Sequence, residues 1–201
     1  MDRNTAFMDV EGVIRKNLED DPSVIYFLDS QLHITHCNAA WDRFAMENGG
    51  QNLNRQYMVG KPVLDSVPQV LKSFYIKAYQ KVLASRKPWA HTYECSSANT
   101  FRTFHMSVYS DLEKNGLLVV NSLSVERPHG RDREPHQVSP VYSAPHSGFV
   151  TLCSHCRRTQ RVDHKEIWDW VPAYLERPPM TISHGLCPVC MVVYYPELFE
   201  K

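Results

Sequence analysis

The feature that most limits what this chain can fold into is a pair of cysteine doublets. Cys153-Ser-His-Cys156 and Cys187-Pro-Val-Cys190 stand with thirty residues between Cys156 and Cys187. Two residues between cysteines let the backbone curl so that both thiolates face one ion. Two such knuckles supply the four soft ligands of a tetrahedral site, with metal–sulfur bonds of about 2.3 Å. Thiolate sets favour zinc or iron–sulfur, and zinc is the commoner structural choice. The spacing therefore predicts zinc held by Cys153, Cys156, Cys187 and Cys190. A closed shell of four cysteines leaves no position for water, which argues against zinc hydrolysis.

His184 also has ligand spacing to Cys187, so a mixed site is an alternative. With four cysteines present it is expected beside the ion rather than on it, and His155, inside the first knuckle, is poorly placed to share an ion with its neighbours. A module over residues 148–201 buries little surface, with Trp168, Trp170, Tyr174 and Leu175 as its expected local core. Domains this small need a staple, and zinc binding supplies folding free energy on the order of 10 kcal/mol in comparable peptides.

The region before it reads as α+β. Residues 7–19 place Phe7, Val10, Ile14 and Leu18 at helical spacing. Asp21-Pro22 breaks that pattern, and residues 23–29 and 32–37 read as strands. Asn38 is expected to cap a short helix that Gly49-Gly50 ends. The clearest helix carries Val70, Leu71, Phe74, Tyr75, Ala78, Tyr79, Val82 and Leu83 on one face and closes at Lys87-Pro88. Strands are then expected over 89–95, 101–109 and 117–126. In the middle one Phe104, Met106 and Val108 alternate with Thr103, His105 and Ser107, the period of a half-buried antiparallel strand.

Residues 127–147 hold four prolines and three histidines with few large apolar groups, which predicts a polar linker, stiff in places. The expected division is thus an N-terminal flanking helix (1–22), a sensor domain (23–126), a linker (127–147) and a zinc module (148–201).

The order strand, strand, short helices, long helix, three strands resembles the PAS family. The match is clearest over YFLDSQLHITHCNAAWDRFAMENGG, where the second strand runs into Asn38, followed by Trp41, Phe44 and Ala45. The resemblance implies a five-stranded antiparallel sheet with flanking helices, a pocket between the sheet and the long helix, and sensing without catalysis. In such proteins the flanking helix often packs against its partner's copy, which implies a homodimer with Phe7, Val10, Ile14 and Leu18 as its seam. The flavin-photosensor motif of the family is missing around Cys37, and the long helix carries no histidine for haem. His33, His36, His91 and His105 are expected on sheet faces. Cys37 and Cys95 are read first as buried hydrophobes, with a redox pair as the sharper alternative. Ser183-His-Gly-Leu-Cys-Pro-Val-Cys190, after CSHCRR and WDW, resembles a module at the ends of bacterial sensory proteins.

Lys plus Arg equals Asp plus Glu at 22 each, and the cancellation does not hide opposite halves, so no global field recruits nucleic acid or a membrane. No apolar run approaches the roughly 20 residues that cross a bilayer, and the opening residues carry no signal-peptide core. The expectation is a cytoplasmic, non-catalytic sensor. It binds a small ligand or partner in its PAS domain and passes output to a separate kinase or regulator. The alternative is a zinc-dependent nucleic-acid-binding transcriptional regulator, using Arg157, Arg158, Arg161 and Lys165. A thiol redox switch built on the CxxC pairs is a third and weaker reading.

Overall fold

The structure, a computed structural model, describes residues 16–111, 115–131 and 133–199. Of the expected N-terminal helix, Phe7, Val10 and Ile14 lie outside the described residues; residues 16–20 are helical. Five strands follow: β1 (Val24–Leu28), β2 (Ile34–Cys37), β3 (Trp89–Glu94), β4 (Thr100–Asp111) and β5 (Gly116–Pro128). They form one antiparallel sheet in the order β2-β1-β5-β4-β3. Between β2 and β3 the chain makes α1 (Ala39–Glu47), α2 (Arg55–Met58) and the long α3 (Gln69–Ser85).

The alternation read in the sequence decides which side chains face α3. Phe104, Met106 and Val108 are buried while His105 is exposed. From α3, Leu71, Tyr75, Ala78, Tyr79 and Val82 are buried against them. Arg86 ends that helix in the left-handed region, at φ 57°, one residue ahead of the Lys87-Pro88 pair. At the start of β5 a Cβ on Gly116 would lie 2.1 Å from the Leu28 carbonyl oxygen, so the β1–β5 pairing there depends on glycine.

Asn38 departs from its expected role. It occupies the N-cap position of α1 without a side-chain capping bond. Its Oδ1 accepts from the Ile25 N–H at 3.0 Å, and its Nδ2 donates to the carbonyls of Ser23 and Leu18 at 2.9 and 3.0 Å. With 1% exposure, the amide ties the N-terminal segment to β1 because those backbone groups have no water to turn to.

The second unit contains β6 (Val150–Cys153), β7 (Thr159–Gln160), β8 (Trp168–Asp169), α4 (Ala173–Glu176), β9 (Ile182–Gly185) and α5 (Pro188–Tyr194). Its four strands are ordered β8-β7-β6-β9. Trp170 and Tyr174 are buried as expected. The local core is built on Tyr142, Val150, Leu152, Val171 and Tyr174, with Leu175 packed against it, whereas Trp168 packs against the larger cluster that holds the four cysteines together with residues of the first unit.

Residues 127–147, read from composition as a linker, are mostly exposed but anchored at a few points. β5 runs on to Pro128, Tyr142 supplies the module's core, and the His136 N–H donates to the Trp170 carbonyl at 2.8 Å. Arg133 is the centre of this segment. Its Nη2 donates to Glu94 Oε2 at 2.5 Å with both side chains almost wholly buried. Its Nη1 donates to the Cys156 carbonyl at 3.3 Å, and its guanidinium lies 5.0 Å from the Trp170 ring. One side chain thus joins the end of β3, the first knuckle and the module's tryptophan. A composition-based reading misses this because a single buried ion pair needs no apolar residues.

The module also docks on α3. Phe74 meets Tyr194 edge-on at 4.8 Å, the Tyr195 hydroxyl donates to the Val70 carbonyl, and Ser73 Oγ lies 3.0 Å from the same hydroxyl.

Breaking a buried pair on one side leaves an uncompensated charge, at a cost of about 3–5 kcal/mol. Arg133→Ala is expected to lose that much stability in urea titrations. Arg161→Ala, which breaks the exposed pair with Asp163, is expected to leave the midpoint nearly unchanged. Equal effects of the two would contradict the bolt assigned to Arg133.

Candidate metal centre and adjoining pocket

The thirty-residue gap between the knuckles is closed by parallel pairing of β6 with β9. Cys153 stands in register with Gly185, two residues before Cys187. The first knuckle turns on the Arg157 N–H to the Cys153 carbonyl, 3.1 Å, with Arg157 at φ 63°. In the second, Cys187 occupies the N-cap of α5 and Pro188 the first helical position, where its missing N–H costs no helical bond.

The result is a cluster in which all four sulfurs lie within 4.8 Å of one another, every one buried. A tetrahedron with metal–sulfur bonds of about 2.3 Å has sulfur–sulfur edges of about 3.8 Å; Cys156 Sγ and Cys187 Sγ are 3.7 Å apart. The four thiols are free rather than bridged. Hydrogen bonds from Cys156, Cys187 and Cys190 hold the Cys153 thiol far below its ordinary range, and the Cys187 N–H donates to its sulfur at 3.4 Å. Buried and mutually close sulfurs are a donor set fitted to a soft metal cation. Such an ion would offset much of the charge of the thiolates and fix the two knuckles together.

His184 lies on β9, exposed, and is not among the four clustered groups. His155 points elsewhere: its Nδ1 lies 2.8 Å from the Tyr194 hydroxyl. Cys37 and Cys95 stand apart from the centre. Burial pushes the Cys37 thiol up to about 12 and raises that of Cys95, the opposite of an activated thiol.

Next to the centre a cavity of about 400 Å³ opens between the sheet, α1 and α3. Its walls are mainly apolar and aromatic, with Trp41, Phe44, Leu71 and Phe104 among them. A set of tyrosine hydroxyls interrupts them. Tyr93 donates to Asn121 Oδ1 at 3.0 Å, and Tyr79 points at Met106 Sδ, 3.8 Å away. Burial raises the hydroxyls of Tyr79 and Tyr93 well above their ordinary range, so they stay neutral. The remaining wall comes from the second unit, through Ser154, Arg157 and Tyr194.

Glu94, Ser154, Arg133 and Tyr194 were not singled out by sequence reasoning. For Tyr194 a signal existed, since Cys187, Cys190, Met191 and Tyr194 recur at helical spacing on one face. For the other three no local pattern marks them.

His91, expected on a sheet face, sits in an aromatic cage. It stacks on Trp89 at 5.7 Å and 10°, and packs on Phe74 and Tyr194 at 5.0 and 5.2 Å. Burial, with His155 and His105 adding to it, pushes its pKa down to about 4. Above pH 6.5 the ring is neutral in both folded and unfolded chains. As pH falls from about 6.5 towards 4 the unfolded chain takes the proton first, so this stability is lost on acidification. The variant His91→Phe is expected to gain on the wild type in urea midpoint across that window. Comparison at each pH cancels effects common to both proteins, and a pH-independent difference would refute the buried neutral ring.

No family model matches the sequence, and no curated protein matches it. Among solved structures the chain is similar to a domain of a sensory box sensor histidine kinase/response regulator from Geobacter sulfurreducens, at TM-score 0.43 and 13% identity over 56% of this chain and 93% of that one. It is similar to a PAS domain from Colwellia psychrerythraea, at TM-score 0.46 and 13% identity over 58% and 98%. It is also similar to VqmA of Vibrio cholera, solved as a VqmA–ligand–DNA complex, at TM-score 0.43 and 8% identity over 58% and 51%. The single five-stranded antiparallel sheet, with α1, α2 and α3 between β2 and β3 in the chain, agrees with the element order and sheet that the sequence resemblance implied. Residues 24–128 thus form a five-stranded antiparallel sheet with flanking helices, as a PAS-like fold requires, and a compact module organised about four clustered cysteines follows them.

Proposed function

We propose that this chain is a non-catalytic, cytoplasmic sensor. Its PAS cavity binds a small molecule, and zinc on Cys153, Cys156, Cys187 and Cys190 holds the module that reads the cavity out to a separate kinase or regulator. The observation that carries this reading is the cavity itself. It has the size of a small-molecule site, with apolar walls and a few polar groups, and the module forms part of its wall. The choice of zinc follows from an all-sulfur tetrahedral donor set with no open position. Exposed apolar side chains on α5 and just beyond it, Val189, Val192, Val193, Leu198 and Phe199, suit the module to a protein partner.

The nucleic-acid alternative finds less support. Among its four basic residues Arg161 is engaged by Asp163 and Arg157 lines the cavity. The module carries as many acidic as basic residues, whereas phosphate binding calls for a basic excess. The redox alternative, built on the CxxC pairs, finds less support because all four of their sulfurs are buried in one cluster, which suits a shared metal better than an exposed exchanging dithiol.

Metal analysis and an absorption spectrum of the protein as purified test the reading, beside the double variant Cys187→Ser, Cys190→Ser. One zinc per chain, no visible band and loss of zinc in the variant are expected, with a small molecule recovered by mass spectrometry of the denatured wild type. Because the four cysteines share one core with the sheet and α3, chelation is expected to lower the melting temperature of the whole chain in one transition. Iron with a visible band would overturn the zinc assignment. A second, unshifted transition would overturn the joint core.

The same proposal includes a homodimer along Phe7, Val10, Ile14 and Leu18. Sedimentation of the intact chain is expected at twice the chain mass, shifting to one chain mass in Val10→Asp. A monomeric wild type would remove dimerisation from the reading.

A further inference from the structure

Among the described residues that line the cavity, Glu94 and Arg157 carry the charge, and the two charges are met differently. Glu94 is matched inside the protein, where its Oε2 accepts from Arg133 Nη2 at 2.5 Å with both side chains almost wholly buried. Arg157 has no such match. Among the described residues no carboxylate lies within ion-pair distance of its guanidinium, and no group accepts a hydrogen bond from it, whereas nearby Arg161 is held by Asp163. Cys95, which lines the cavity too, supports placing the charged end of Arg157 there and not only its stem. Burial raises the Cys95 thiol, and the positive charge of Arg157 is the foremost influence opposing that rise.

The metal cluster belongs in the same balance. Four thiolates around a divalent ion keep two negative charges, and Arg157 follows Cys156 directly, so its charge also acts on the cluster. Among the described residues, however, no cluster sulfur accepts a hydrogen bond from it, which leaves its N–H groups to water or to a molecule in the cavity. A guanidinium presents those groups as a planar fork that matches the two oxygens of a carboxylate. Arg157 is only partly buried, which limits the hydration that a paired anion gives up. The rest of the lining is mainly apolar and aromatic, suited to an uncharged body and offering a cation no unmatched carboxylate.

Resting on the reading of the cavity as a small-molecule site, we propose that its ligand is a largely apolar carboxylic acid, bound as the anion with its carboxylate on Arg157 and its body against the aromatic walls.

Three probes of one shape separate the charge states: 2-naphthoate (anion), 2-naphthamide (uncharged) and 2-naphthylmethylammonium (cation), each titrated by calorimetry against the zinc-loaded full chain. 2-Naphthoate is expected to bind about tenfold more tightly than 2-naphthamide, the net effect of one charge-assisted pair against desolvation and the opposing charge of the cluster. The ammonium is expected to bind most weakly. In Arg157→Gln, with zinc content and melting temperature as checks on folding, 2-naphthoate is expected to fall to the level of 2-naphthamide or below, while 2-naphthamide affinity holds. Arg157→Lys, a point charge without the fork, is expected to keep part of the preference.

Equal binding of 2-naphthoate and 2-naphthamide, or a preference for 2-naphthoate that survives Arg157→Gln, would overturn the inference while leaving the cavity a ligand site. Failure of all three probes to bind would overturn both. The order of the three probes on the wild type decides the matter even if Arg157→Gln does not hold zinc.

Discussion

Four cysteine sulfurs drawn within 4.8 Å of one another are an expensive arrangement. Thiolates packed that closely away from water repel each other, and only a cation among them or shared protons relieve the cost. Here the sulfurs are not confined to a peripheral finger. They belong to the same buried cluster as Tyr26, Leu71, Tyr79 and Val119 of the first unit, so what settles the sulfurs also settles the packing around them. The β6–β9 pairing, the N-cap position of Cys187 and the turn at Arg157 all serve to bring them together.

Around this centre the second unit acts as one wall of the first. α5 lies along α3 through Tyr194 and Tyr195, and Arg133 ties the end of β3 to the first knuckle and to Trp170. The cavity consequently has walls from both units, mainly apolar and aromatic, with Glu94 of β3 and Ser154 of the module among its polar groups. Two units sharing one core and one cavity respond together, because a change in the packing of either is felt by the other. This is a physical route from an occupied cavity to a module surface bearing exposed Val189, Val192 and Val193.

Much of this was legible in the residues themselves. Alternation at Phe104, Met106 and Val108 reflects a sheet with one covered face, and the spacing from Val70 to Leu83 reflects a helix with one buried stripe. Both are local consequences of backbone period. The CxxC spacing is local too, since two intervening residues suffice to aim two sulfurs at one point. Asn38 was placed correctly at a helix start, but its bonds run back to β1 and the N-terminal segment, partners chosen by burial rather than by sequence neighbourhood. The anchoring of residues 127–147 is not legible in the sequence for a related reason. Their composition lacks apolar groups, yet Arg133 and Tyr142 find partners in other elements, and composition carries no information on partners.

The sequence by itself determined the period-two and helical patterns that make the five strands and α3, and the four sulfurs available to one centre, because each depends on residues a few positions apart. Long-range packing alone set the module against the cavity of the first unit, brought Glu94 to Arg133, and placed Ser154 and Glu94 in the lining of one cavity. Those contacts join residues that lie 39 and 60 positions apart in the chain, and their free energy comes from burial and complementary charge in the assembled core, which no local pattern encodes.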